Sequence, residues 1–246
     1  MSTINKSDVW VLVPAAGIGS RMQSEKPKQY LKLLGKTVLE HTLSRFTDLS
    51  DIAGILVVIS EADQEWMDIS GSKDFLSTLK CPLKFTYGGA DRASTVLNGL
   101  EYMQDELELA DDQWVMVHDA ARPCVKEKDL RKLLDTRFCE GSIGGILAYP
   151  VKDTMKRSTT HEKIEKTVSR ENLWHALTPQ MFQLKALTQS LHAAKAAGFV
   201  VTDEASAMEF AGHSVQLVNA SSDNIKLTSP DDLKLVEFLL NQFEVV

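Results

Sequence analysis

The chain has 246 residues, 43% apolar and 25% charged, an ordinary globular composition with enough apolar side chains for a core that needs no disulfide or metal staple. Thirty-four acids against 27 bases leave a net charge of −7, a poor balance for binding nucleic acid unless the bases cluster. Three cysteines without C-x-x-C spacing argue against a disulfide framework or a zinc ribbon, and no apolar run near the start is long enough for a membrane span or a secretory signal. The expectation is a soluble, cytoplasmic protein with no nucleic-acid or membrane partner.

In chain order, the first predicted strand is Val9–Val13. It runs into Pro14-Ala15-Ala16-Gly17-Ile18-Gly19-Ser20-Arg21-Met22, where small residues let backbone N–H groups approach a ligand closely. Successive N–H groups in such a loop form an anion-binding nest, and Arg21 adds a two-pronged phosphate donor. Glu25-Lys26-Pro27-Lys28-Gln29-Tyr30 puts a second basic cluster beside it. The loop is not a dinucleotide fingerprint, because Met22 stands where the third glycine belongs. Nor is Gly35-Lys36-Thr37 a Walker loop, because its first glycine would be Tyr30.

A helix over Val38–Phe46 precedes a near-continuous apolar strand at Gly54–Ser60, and a further strand follows at Leu83–Tyr87. Continuous rather than alternating apolar runs fit strands buried on both faces, as in a parallel sheet. Tyr87-Gly88-Gly89-Ala90-Asp91-Arg92-Ala93-Ser94-Thr95 reads as strand, turn and helix start, with Gly89 backbone groups and the Thr95 hydroxyl able to meet a base edge. A plain turn with Asp91 near a helix start accounts for the same residues.

The helix Ala93–Leu109 leads to a strand at Trp114–His118 and then to Asp119-Ala120-Ala121-Arg122. An acid at a strand end is a standard holder of Mg²⁺ or a ribose hydroxyl, and equally often a turn carboxylate. A helical stripe follows at Leu130, Leu133, Leu134 and Phe138, then a strand at Ile143–Tyr149.

Residues 151–170 break the rhythm. They read as two polar strands around a turn, with too little apolar surface for a core, hence as an arm that leans on something, often a second subunit. A helix with Leu184, Leu187, Leu191 and Ala194 follows. Thr202-Asp203-Glu204-Ala205 reads as a helix cap and first turn. A strand at Val215–Val218 precedes Ser222–Thr228, with Lys226 on a short late strand, and Ser229-Pro230-Asp231-Asp232 opens the last helix with proline at its first position. The six histidines do not pair at metal-ligand spacing, and no G-x-S-x-G elbow is present.

Alternating strands and helices argue for a doubly wound α/β sheet. With these segments assembled, the chain resembles the 2-C-methyl-D-erythritol 4-phosphate cytidylyltransferase family. The resemblance runs from Val11 to about Phe238 and rests on PAAGIGSRM, KPKQYL, GGADRASTVLNGL, VHDAARPC, PVKDTMKR, LWHALTPQ, TDEASAMEF and DNIKLT, in that order.

The resemblance implies one cytidylyltransferase domain over residues 1–246, a Rossmann-like nucleotidyltransferase with a mostly parallel twisted sheet flanked by helices and a protruding β-arm at about 151–170. It implies a homodimer through that arm, CTP and a methylerythritol phosphate as substrates, and Mg²⁺ as the divalent cation. Ala15, Ala16 and Gly17 would line the nucleotide site with Gly89, Arg92 and Thr95. Arg21, Lys28 and Lys226 would surround the CTP phosphates as the catalytic cations, and Asp119 would sit by the ribose and Mg²⁺. Arg122, Thr154, Arg170 and Thr178 would meet the acceptor, Thr154 and Arg170 from the partner's arm. At Ser20 the family often has a larger basic or polar residue, and at Thr95 commonly a serine. A cytidylyltransferase for another polyol phosphate, such as ribitol phosphate, is the alternative enzyme, and a non-catalytic nucleotide-binding module is the alternative class.

Overall fold

The computed structural model describes residues 8–17 and 26–243. In chain order the strands are β1 (Val9–Pro14), β2 (Lys32–Leu33), β3 (Lys36–Thr37), β4 (Ile52–Ile59), β5 (Leu83–Tyr87), β6 (Trp114–Val117), β7 (Gly144–Pro150), β8 (Met155–Ser158), β9 (Ile164–Val168), β10 (Trp174–Gln183) and β11 (Gln216–Asn219). The helices are α1 (Val38–Ser44), α2 (Trp66–Ser70), α3 (Lys73–Thr78), α4 (Arg92–Asp105), α5 (Glu127–Asp135), α6 (Leu184–Ala196), α7 (Glu204–Phe210) and α8 (Asp232–Asn241).

A seven-stranded sheet runs in the order β11-β7-β10-β6-β1-β4-β5. Strand β1 lies parallel to both β4 and β6, and β4 lies parallel to β5. The alternation of side chains along β1 splits the core in two. Val9, Val11 and Val13 face a layer with Leu39 and Leu43 of α1 and Leu130 and Leu133 of α5. Trp10 and Leu12 face Val96, Leu100 and Met103 of α4 with Leu187 and Leu191 of α6. Burial of each such side chain contributes about 1.5–3 kcal/mol. Gly99 lets α4 approach the sheet closely: a Cβ there would stand 2.7 Å from Val58 Cγ2 and 2.8 Å from Leu12 Cδ1.

The two-residue strands β2 and β3, outside the seven-stranded sheet, were unread. Of the seven strands of that sheet, the one that sequence periodicity did not reveal is β10, which lies antiparallel between β6 and β7. Its register with β7 breaks between Ala176 and Gln180. Pro179 sits in that gap, where its missing N–H costs the ladder nothing. A proline among apolar residues that do not alternate hides the strand from a reading by pattern. Helices α2 and α3 were also unread, since each is too short to show a stripe.

Two differences from expectation bear on the site. Lys226 lies in a loop, not on a strand. Helix α8 begins at Asp232, so Pro230 precedes it rather than occupying its first turn. The Asp232 carboxylate reaches back to the N–H groups of Thr228 and Ser229 and the Thr228 hydroxyl, each at 2.8 Å. The 226–228 loop is thereby tied to the helix that follows it.

Strands β8 and β9 form a separate antiparallel pair between β7 and β10. Nearly every residue of the pair is exposed, including Ile164 at 67%. Among the described residues no helix is long and apolar enough to cross a membrane.

Candidate active site

Because β1, β5 and β6 run in the same direction, their carboxyl ends open on one edge of the sheet. The segments leaving them line a cavity of about 360 Å³, with Ala15, Ala16 and Gly17 from the first, Gly89 and Arg92 from the second and Asp119 from the third. Lys28, Lys226 and Thr228 complete its wall. This is the edge at which open α/β sheets bind ligands.

The first segment is braced from below. Ala15 N–H donates to Val58 O of β4 at 2.7 Å. The Lys28 ammonium donates to Leu227 O at 2.8 Å, which holds the 28–30 turn against the 226–228 loop. The second segment depends on its glycines. A Cβ on Gly88 would lie 2.8 Å from the Thr95 hydroxyl oxygen and 2.9 Å from Ala16 Cβ, and one on Gly89 would lie 2.5 Å from Ser94 Oγ. The Gly89 N–H donates to the Thr95 hydroxyl at 3.2 Å, so the base-reading groups expected here are paired with each other. Asp91 caps α4 by accepting from Ser94 N–H at 2.7 Å, the turn-and-cap role its position suggested.

Asp119 is the hub. Its Oδ1 accepts from Arg92 Nε at 3.1 Å, and its Oδ2 from Lys226 Nζ at 2.9 Å and Arg122 Nε at 3.3 Å. Burial works to raise its pKa, but Arg92, Lys226 and Arg122 outweigh burial and hold the carboxyl well below the usual carboxylate range. Arg92 also grips the buried Glu204 with both terminal nitrogens, at 2.7 and 3.0 Å. Glu204 opens α7, whose cap is Asp203, as the sequence implied. Three cations against two carboxylates leave a positive surplus, and Lys28 adds to it. A wall of that sign draws an anionic ligand into the cavity.

Behind Asp119 lies a second layer. The Thr178 hydroxyl accepts from Asp119 N–H at 3.1 Å and lies 3.1 Å from His118 Nδ1. His118 Nε2 lies 2.9 Å from Arg122 O, an acceptor, so the proton is assigned to Nε2 and Nδ1 accepts from Thr178. Burial pushes the fully buried His118 down to about 4, which keeps it neutral. Asn224 joins the layer by donating to Thr178 O at 2.7 Å, while its own carbonyl accepts from Arg122 Nη1 at 2.7 Å. Gln180 accepts from Ala205 N–H at 2.8 Å and donates to Asp203 at 2.9 Å, fixing α7 to β10.

Of the residues named from the sequence, Ala15, Ala16, Gly17, Lys28, Gly89, Arg92, Thr95, Asp119 and Lys226 meet around the one cavity. Arg122 stands beside Asp119, and Thr178 is buried behind it rather than on the wall. Thr154 and Arg170 lie exposed at the arm, with Arg170 donating to Lys152 O. Arg21 lies outside the described residues. His118, Gln180, Glu204 and Asn224 were not singled out. Each stands within a motif that carries the resemblance, and position in those strings was their only signal.

Among the described residues no three His, Cys, Asp or Glu side chains gather as a metal site. Among the described residues that line the cavity, Asp119 is the buried carboxylate, a hard oxygen donor of the kind Mg²⁺ takes together with substrate phosphates.

The family model for IspD, 2-C-methyl-D-erythritol 4-phosphate cytidylyltransferase, matches residues 9–242. The chain is similar to the protein of that name from Vibrio parahaemolyticus, with 46% identity over 97% of each chain. It is 48% identical to the one from Tolumonas auensis, over 95% of this chain and 97% of that one. A crystal structure of a 4-diphosphocytidyl-2C-methyl-D-erythritol synthase superposes with a TM-score of 0.79 at 35% identity, covering 95% of this chain and 98% of the other. The Francisella tularensis 2-C-methyl-D-erythritol 4-phosphate cytidylyltransferase superposes with a TM-score of 0.76 at 34% identity, over 94% and 99%. A match across nearly the whole sequence, from relatives of the same length, carries the cavity and its wall together: the chain belongs to the 2-C-methyl-D-erythritol 4-phosphate cytidylyltransferases.

Proposed function

We propose that the cavity around Asp119 is where this cytidylyltransferase moves the cytidylyl group of CTP onto 2-C-methyl-D-erythritol 4-phosphate. The products are 4-diphosphocytidyl-2-C-methyl-D-erythritol and pyrophosphate, a step of isoprenoid precursor synthesis. The observation that carries the assignment is one ionised carboxylate surrounded by Arg92, Arg122 and Lys226 at the carboxyl ends of three parallel strands.

The reaction is an in-line displacement. An oxygen of the acceptor phosphate bonds to the α-phosphorus of CTP while the bond from that phosphorus to the bridging oxygen breaks, and pyrophosphate leaves with the electron pair. A phosphate monoester has its second pKa near 6, so the nucleophile is anionic around pH 7 and no general base is required. The neutral, fully buried His118 is consistent with that, since it holds the site together from behind. What the reaction does require is that two polyanions be brought together and their charge neutralised. Lys28 and Lys226 serve the phosphates, joined by Arg21. Arg122 would meet the acceptor, with Thr178 backing Asp119 from behind and Thr154 and Arg170 reaching in from a partner's arm. Mg²⁺ held by Asp119 and the CTP phosphates would draw charge from the transferred phosphoryl group.

The arm supports a homodimer as the working form. Two strands without a core are marginal alone, and Met155 and Ile164 are uncovered within one chain. Thr154 and Arg170 would then complete the partner's site. The enzyme works in the cytoplasm on this reading.

The test is pyrophosphate release by the purified protein with Mg²⁺ and CTP, offered methylerythritol phosphate and ribitol phosphate in parallel, with ATP, GTP and UTP as controls. Release with CTP and methylerythritol phosphate alone is expected. Release with ribitol phosphate instead would overturn the acceptor assignment. No release from a folded protein that binds CTP would point to a non-catalytic nucleotide module.

A further inference from the structure

Gln29 stands between the lysine expected at the phosphates and an aromatic residue, in a short basic segment where a glutamine would ordinarily face solvent. It is instead 4% exposed and reaches the cavity wall. Pro27, at φ −56°, leads into a single 3-10 turn over Lys28–Tyr30, closed by Tyr30 N–H on Pro27 O at 2.9 Å. Three residues per turn send the three side chains in three directions. Lys28 goes to Leu227 O, and the Tyr30 hydroxyl to the Asp63 carboxylate at 2.6 Å. The Gln29 amide nitrogen goes to two carbonyls of the first cavity loop, Ala15 O at 2.8 Å and Gly17 O at 3.2 Å.

That pairing uses both amide hydrogens, so the position calls for a group that donates two protons. In a trans peptide the carbonyl and the following N–H point to opposite sides. Holding Ala15 O therefore turns the Ala16 N–H away from Gln29. Among the described residues the Ala16 and Gly17 N–H groups have no protein partner. They are donors kept for a ligand.

We infer that Gln29 is a positioning residue for cytidylyl transfer, which locks the peptide planes of residues 15–17 so that their N–H groups meet the nucleotide. Gln29 does not touch the reacting atoms in this role. It acts through the loop, and the inference rests on the cavity being the nucleotide site.

Gln29→Glu tests it. At pH 8 the carboxylate would face two carbonyl oxygens and release the loop. A displacement of about 1 Å costs on the order of 10²-fold, and that loss is expected in kcat/KM for CTP. Protonation restores one donor, and burial against carbonyls raises a carboxyl's pKa. The ratio of variant to wild-type kcat/KM is therefore expected to recover at least about tenfold by pH 6, being the return of one of the two donors. Lys28, Asp91, Arg92, Asp119 and Lys226 also line this cavity, and taking the ratio removes their own titrations.

Gln29→Met, of similar size but without donor or charge, is expected to lose roughly tenfold or more, equally at both pH values, with the KM for methylerythritol phosphate unchanged. Should Gln29→Glu fail to fold, the methionine variant decides alone. A methionine variant within twofold of wild type, or a folded Gln29→Glu variant whose ratio is flat with pH, would overturn the inference. Full activity in Lys28→Ala would instead remove the cavity assignment beneath it, which keeps the two failures apart.

Discussion

The cavity wall and the arm are built on opposite principles. Asp119, Arg92, Glu204, Thr178 and Asn224 come from five separate stretches of the chain and are locked by paired charges and hydrogen bonds inside the fold. Strands β8 and β9 contact little beyond each other and leave nearly every side chain in solvent. The contrast separates two tasks. On the proposed function, neutralising phosphate charge needs fixed cations, whereas an arm that met the acceptor would gain its order from a second subunit. Substitutions in the wall should therefore change stability and rate together, and substitutions in the arm should change acceptor handling alone.

The largest effect is expected at the hub. Asp119→Asn leaves Arg92, Arg122 and Lys226 without their shared counter-charge, at a cost of about 3–5 kcal/mol in stability. Turnover should fall roughly 10³-fold. Chemical denaturation and pyrophosphate release measure both, and an unchanged melting curve would show that the wall is not cross-tied as described. Next comes Lys28→Ala, expected to lower kcat on the order of 10²-fold while moving the KM for CTP far less. If only KM moved, Lys28 would bind ground state and transition state alike.

His118 sharpens the comparison through pH. Its folded pKa is lowered to about 4 from 6.5, so native protein resists a proton that the unfolded chain accepts. The stability difference is absent above pH 6.5 and grows as pH falls from there toward 4. Between pH 7 and 5 it amounts to about 2 kcal/mol of lost stability. Melting curves across that window should show the loss in the wild type, and His118→Gln should show it diminished by that amount. The arm brings the smallest change in stability. Arg170→Ala is expected within about 0.5 kcal/mol of wild type, with the KM for methylerythritol phosphate raised roughly tenfold and that for CTP unmoved. Mixing Arg170→Ala with Lys28→Ala subunits should restore activity if the arm serves the partner's site, and no gain on mixing would place each arm over its own subunit.

Most of the framework was legible in the letters. The continuous runs at Val9–Val13 and Gly54–Ser60 marked strands buried on both faces, and both proved central. Asp203 and Asp91 read as caps and are caps. The polar segment at 151–170 read as two strands around a turn and forms the β8–β9 pair. Apart from elements too short to show a pattern, what escaped depends on a partner far along the chain. Strand β10 has no alternation of its own to announce it, because burial between β6 and β7 makes it a strand. Lys226 was placed on a strand but belongs to a loop, where contact with Asp119 and the brace from Asp232 hold its segment without a ladder.

By itself, then, the sequence determined the alternation of strands and helices, the loops at strand ends and, through its ordered motifs, the family. These are local properties: periodicity, capping chemistry and short strings of fixed spacing. Only the tertiary structure decided that Glu204 grips Arg92 across 112 positions, that His118 is sealed and neutral, and that Gln29 turns inward to hold the Ala15–Gly17 loop. The physical reason is that a side chain's charge state and hydrogen-bond partners follow from burial and from neighbours that folding brings together, and neither is written in the residues beside it.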